Sequence, residues 1–165
     1  MLTRARVLGH SVHQAIVHLP LGALVVATGL DIFHQFRPSE TAAIAASWLI
    51  AIGIVTGLLA AVFGFIDWTG IPSNTRAKRI ATLHGLGNVM VVALYALSLA
   101  LRWETRAYPP QSATILSIVA LCCAVVTAWL GGELVSRHGI GVHPGANIDA
   151  SSSLHPDEPV LPSRR

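Results

Sequence analysis

Four apolar stretches, each close to the roughly 20 residues a helix needs to cross the hydrocarbon core of a bilayer, divide this chain. They run over about 15–36, 43–68, 80–101 and 113–135. In lipid a backbone has to satisfy its own hydrogen bonds, and runs of this length do so as helices. The linkers between them are short and carry the turn residues Pro38, Gly70, Pro72, Pro109 and Pro110, so neighbouring helices are expected as antiparallel hairpins. The expected fold is all-α, an integral membrane four-helix bundle over residues 15–137. A short N-terminal cytoplasmic segment (1–14) precedes it. A Gly-, Pro- and Ser-rich tail (138–165) without apolar periodicity follows, and is expected to be disordered.

Composition excludes the soluble alternative. Hydrophobic residues make up 53% and charged residues 12% of the chain, with a mean hydropathy of +0.61. A soluble domain carries about a quarter charged residues, and this chain lacks the material for such a shell. A net charge of +3 is too small to argue for nucleic acid. Cys122 and Cys123 are adjacent inside an apolar run, with no CxxC spacing, and read as small membrane-buried side chains. The first apolar run is too long for a signal-peptide core and ends in Asp31-Ile-Phe-His34 instead of small residues, so it reads as a retained helix.

Charge orients the bundle. With four helices, both termini and the second linker share one side, which holds Arg4, Arg6, Arg76, Lys78, Arg79, Arg137, Arg164 and Arg165. The other side holds Arg37, Arg102 and Arg106. The positive-inside rule then puts both termini in the cytoplasm, as expected for a multi-pass protein of a bacterial inner membrane. Trp48, Trp68, Trp103 and Trp129 lie near helix ends, as an aromatic belt would place most of them.

The second half of the chain echoes the first at an offset of 66 residues. His18 then falls on His84, and Val25-Val-Ala27 on Val91-Val-Ala93. Asp67 and Glu133 each follow their histidine by 49 residues. A parallel internal repeat about an axis along the membrane normal is the expected arrangement. It brings His18, His84, Asp67 and Glu133 to one layer at the cytoplasmic end, with His13, His138, Arg79 and Arg137 beside it.

Ionisable groups are expensive in a membrane and mark function. The leading reading of the layer is a haem b site in an electron-transfer protein, with His18 and His84 as axial ligands. Asp67 and Glu133 would support the imidazoles, and Arg79 and Arg137 would pair with propionates. One alternative is an iron or zinc ion, or an ion path, using His18, His84, His13 and His138 with the carboxylates. Another is a purely structural or partner-binding role. The Glu-x-x-His pattern of di-iron bundles is absent, as are phosphate loops and nucleophile elbows, so an enzyme is the less favoured class. Besides the lipid bilayer, the partners such a protein admits are a redox protein or quinone and a second copy of itself. Asp31 and His34, three apart on one face, read as an interfacial helix end. Asn88 reads as an interhelical hydrogen bond, and His10, His143 and His155 as solvated.

His13-Gln-Ala-Ile-Val-His18-Leu-Pro20 resembles the opening His-Pro-x-x-Val-His-Phe-Pro of the bacterial membrane proteins grouped as domain of unknown function 2231, with Gln14 standing where that family has proline. Gly64-Phe-Ile-Asp67-Trp68, Arg79-x-x-x-x-His84-x-x-x-Asn88 and Gly131-Gly-Glu133-Leu-Val-x-Arg137-His138-Gly139 are similar to its later motifs. The resemblance covers roughly residues 10–142. It implies four transmembrane helices and no established activity. Some members are joined to Rieske or cytochrome-type modules, which implies redox company.

Overall fold

The computed structural model describes residues 3–154. A two-stranded antiparallel hairpin, β1 (Arg6–Val7) and β2 (His10–Ser11), comes first. Its turn uses Leu8 and Gly9, both at positive φ (48° and 84°), the conformation that matches strand twist in a two-residue hairpin. Five helices follow: α1 (Val12–Ile16), α2 (His18–Phe36), α3 (Glu40–Gly70), α4 (Arg76–Leu101) and α5 (Gln111–Ser136). α1 and α2 form one apolar span, so four helices are long and apolar enough to cross a membrane. The chain is a four-helix membrane bundle.

Local chemistry sets the helix ends. Pro20 has no N–H to offer the Ile16 carbonyl, and the helix is interrupted at Val17, where α1 passes into α2. Ser39 Oγ accepts from Ala42 N–H (3.3 Å) and Thr75 Oγ1 from Lys78 N–H (3.1 Å), so α3 and α4 start at polar caps ahead of the first apolar residue. α5 closes at Gly139 (φ +62°), with Ile140 N–H reaching back to Leu134 O (2.9 Å), a Schellman-type stop.

α2 packs on α3 and α4 on α5, and the two hairpins meet mainly along α3 and α4. Ala27, Ala43, Ala46, Ala113 and Ala120 are wholly buried, and such small side chains let membrane helices approach closely. Leu24, Ile50, Val91 and Tyr95 fill the centre. Large apolar side chains cover the outside, among them Val55, Val62, Phe65, Val89, Val125 and Val126. That is inverted relative to a soluble bundle and matches a surface solvated by lipid. A smaller cluster of Ile71, Ala81 and Leu134, joined by Trp68 and Ile140, closes one end. Arg164, Arg165 and His155, along with the rest of the tail beyond Leu154, lie outside the described residues.

Candidate functional site

The closed end carries a pair of histidines, and they are His13 and His84. Their ring centroids are 6.4 Å apart and their planes perpendicular. Each ring is held in the same way. His13 Nδ1 donates to the Ala60 carbonyl of α3 (2.8 Å), and His84 Nδ1 donates to the Thr127 carbonyl of α5 (2.8 Å). A neutral imidazole that donates from Nδ1 keeps Nε2 as its free lone pair, directed away from the accepting helix.

Four residues beyond each accepting carbonyl is a glycine that seats the ring. A Cβ on Gly64 would stand 2.9 Å from His13 Nδ1, and one on Gly131 would stand 3.0 Å from His84 Cε1. Asn88 Nδ2 donates to the His84 carbonyl (2.8 Å) and lies at nearly equal distances from both ring nitrogens (3.4 and 3.3 Å). That places the amide over the ring face, along neither lone pair. Thr127 Oγ1 donates to Asn88 Oδ1 (3.1 Å), so the expected interhelical bond of Asn88 is present and braces α4 against α5.

The other expected site residues lie elsewhere. His18 is exposed, its Nδ1 3.3 Å from Ala15 O. Five residues after His13, it points about 140° further round the helix. His13 therefore takes the place beside His84 that the sequence assigned to His18. Asp67 is buried, but its carboxylate accepts from Ala5 N–H (2.9 Å) and Ser11 Oγ (3.4 Å). It anchors the N-terminal hairpin. Glu133 is half-buried, and neither carboxylate bonds an imidazole among the described residues; backbone carbonyls do that work. The contacts thus do not follow the 66-residue register that equated His18 with His84 and Asp67 with Glu133. Arg79 and Arg137 are exposed and His138 is half-buried at the same end. Among the described residues no three His, Cys, Asp or Glu side chains converge as a metal-binding group, so His13, His18, His84 and His138 do not gather around one point. Cys122 and Cys123 are free thiols.

The opposite end holds a second polar cluster, centred on Arg102, one residue beyond the apolar stretch 80–101. Arg102 reaches inward from the end of α4 and holds Asp31 of α2 through two parallel bonds (2.6 and 2.8 Å), both side chains wholly buried. Arg102 also donates to Ser98 Oγ (2.9 Å) and Ser117 Oγ (3.4 Å). Asp31 is therefore no interfacial helix end. His34 turns away from it and closes the α2–α3 turn, accepting at Nδ1 from Ser39 N–H (3.0 Å). A hydroxyl pair one turn deeper, Thr28 and Tyr95 (2.8 Å), ties the hairpins again.

A family model described as "Predicted membrane protein (DUF2231)" matches residues 9–144, all four spans included. No curated protein and no solved structure matches the chain.

Proposed function

The chain belongs to the DUF2231 family of predicted membrane proteins, and we propose that its two hairpins grip a b-type haem between His13 and His84 for electron transfer. The observation that carries this reading is the pair of matched Nδ1–carbonyl bonds, which fix both tautomers and leave two Nε2 lone pairs on rings 6.4 Å apart. Two imidazoles holding one metal at about 2 Å each would have ring centroids about 5–6 Å apart, close to the 6.4 Å here. A bare ion wants further protein ligands, and none converge here among the described residues. A haem would need no more than two protein nitrogens, which His13 and His84 could supply.

Haem supplies the one-electron chemistry. The protein's part is to hold the imidazoles. Carbonyls of Ala60 and Thr127 orient them and raise their basicity, and Gly64 and Gly131 give the rings room against the neighbouring helix. Asn88 braces the His84 side. Arg79 and Arg137, exposed at this end, are cations available to carboxylates of a ligand. The Arg and Lys count supports a cytoplasmic position for this end, and a reporter fused to the C-terminus that is active only in the periplasm would overturn that orientation.

An oxidised-minus-reduced visible spectrum of the protein, expressed with ample haem and purified in mild detergent, tests the reading. A Soret band is expected, lost in His13→Ala and in His84→Ala and retained in His18→Ala. If His18→Ala abolishes the band and His13→Ala does not, the ligand assignment is wrong. If no band forms, the rings are staples between helices and nothing more.

A further inference from the structure

We propose that Arg106, lying against Trp48 and Trp103 at the end opposite the histidines, is a seat for the phosphodiester of a membrane phospholipid. The guanidinium carbon stands 4.5 Å from the Trp103 ring centroid and 5.3 Å from that of Trp48. Stacking of this kind holds the planar cation in one orientation. Its Nε is shut off from water and has no hydrogen-bond partner among the described residues. An unpaired buried donor is costly, so the side chain gains from any shift toward the cleft that lets an acceptor outside the chain reach it.

No carboxylate of the described residues, Glu104 two positions before it included, forms an ion pair with Arg106. Asp31 is taken by Arg102, the one ion pair among the described residues. Glu40 accepts from Tyr108. Arg106 therefore stands without an ion-pair partner among the described residues, where two exposed tryptophans (58% and 61%) mark the level of the headgroups.

The space beside it is too small to enclose a whole ligand. A cleft of about 110 Å³ runs between α3 and α4, lined by Ser47, Trp48, Ala51, Leu99, Trp103 and Arg106. Pockets that enclose a drug-sized molecule measure about 300–1,000 Å³, so a ligand here leaves most of itself outside, in the bilayer. Ala51 and Leu99 lie deeper along their helices than Trp48 and Trp103, and give an acyl chain an apolar wall below a phosphate held by Arg106. A phosphate oxygen also matches the planar donor fork of arginine better than that of lysine.

Native mass spectrometry of the full chain, released from nanodiscs of dioleoylphosphatidylglycerol or from micelles doped with dioleoylglycerol, reads the seat directly. The wild type is expected to retain one phosphatidylglycerol and no dioleoylglycerol. Arg106→Gln should lower retention at least about tenfold, and Arg106→Lys should fall between the two. Millimolar inorganic phosphate should leave the lipid in place. Size exclusion and the melting temperature of each variant separate loss of the seat from loss of the fold. Arg106→Gln retaining lipid like the wild type, dioleoylglycerol binding equally well, or displacement by inorganic phosphate would each overturn the proposal.

Discussion

Arg102 and Asp31 form a bidentate ion pair with both side chains at 0% exposure, and it joins α2 of the first hairpin to α4 of the second. Removing one partner of such a pair leaves a bare charge in a low-dielectric interior, at a cost of about 3–5 kcal/mol. Asp31→Asn should therefore lower the melting temperature in detergent sharply. The double variant Asp31→Leu/Arg102→Met should recover to within about 1 kcal/mol of the wild type, because well-packed apolar residues replace buried pairs at little cost. Ser98 and Ser117 stay satisfied in it, Ser98 Oγ donating to the Ala113 carbonyl (2.7 Å) and Ser117 Oγ to Ser98 Oγ (2.9 Å). A double variant as unstable as the single one would show that the pair is not what joins the hairpins.

Gly64 and Gly131 should tolerate no side chain. Alanine at either puts a Cβ at 2.9–3.0 Å from a histidine ring, and the ring must leave its carbonyl or the helices must part. Overpacking of this kind costs about 1–3 kcal/mol. Gly132→Ala is the control, since nothing lies within 4 Å of its Cβ position and alanine is the better helix former by about 1 kcal/mol. Unfolding titrations should rank Gly132→Ala at or above wild type and the other two below it. Equal effects at all three positions would mean that helix propensity, and not the ring seat, sets the stability. In a haem-loaded preparation only the Gly64 and Gly131 variants should disturb the Soret band.

The four spans are legible because length and hydropathy alone decide them; no long-range information is needed to see that Glu40–Gly70 or Gln111–Ser136 belongs in lipid. The pairing of side chains is another matter. Aligning His18 with His84 also matches Val25-Val-Ala27 to Val91-Val-Ala93, yet the interruption after Ile16 and the helical phase put His13 inward and His18 outward. Carboxylates look like the natural partners of imidazoles in a sequence, because backbone carbonyls such as Ala60 O and Thr127 O carry no signature. The Asp31–Arg102 pair did leave a signal. Both residues sit at the same end of parallel helices, one acid and one base in an otherwise apolar stretch, and opposite charge at equal depth is enough to suggest the match.

Tyr108, in the linker between α4 and α5, donates from its hydroxyl to Glu40 Oε1. That bond, and then the nearby carboxylate charge, oppose formation of the phenolate, so the Tyr108 pKa is raised above the ordinary tyrosine range. A raised pKa contributes stability that is complete below the unfolded-chain value, about 10, and is lost as pH climbs through the higher native value. Nothing should change near neutrality. Phenolate absorbance in a Tyr95→Phe background isolates this group, as the chain has two tyrosines. Glu40→Gln should move the midpoint downwards; an unmoved midpoint would mean that the carboxylate does not hold the phenol.

Asp67 should matter to the N-terminal hairpin and not to the histidines. Its carboxylate accepts from Ala5 N–H and Ser11 Oγ, while Arg4 donates to Thr69 Oγ1 (3.0 Å), so β1 and β2 are strapped across the end of α3. Asp67→Ala leaves the Ala5 N–H without its acceptor, a loss of about 1–3 kcal/mol borne locally by the strap and little by the bundle. Local opening governs proteolysis when reclosing is fast, so trypsin should cleave after Arg4 and Arg6 about tenfold faster. Asp67→Asn keeps an acceptor oxygen and should fall between the two. The global melting temperature should move little. A visible spectrum of haem-loaded protein should be unchanged as well, because the Ala60 carbonyl, and not Asp67, orients His13. Unchanged cleavage in Asp67→Ala would show that the strap is held by something else, and a shifted spectrum would return Asp67 to the imidazole.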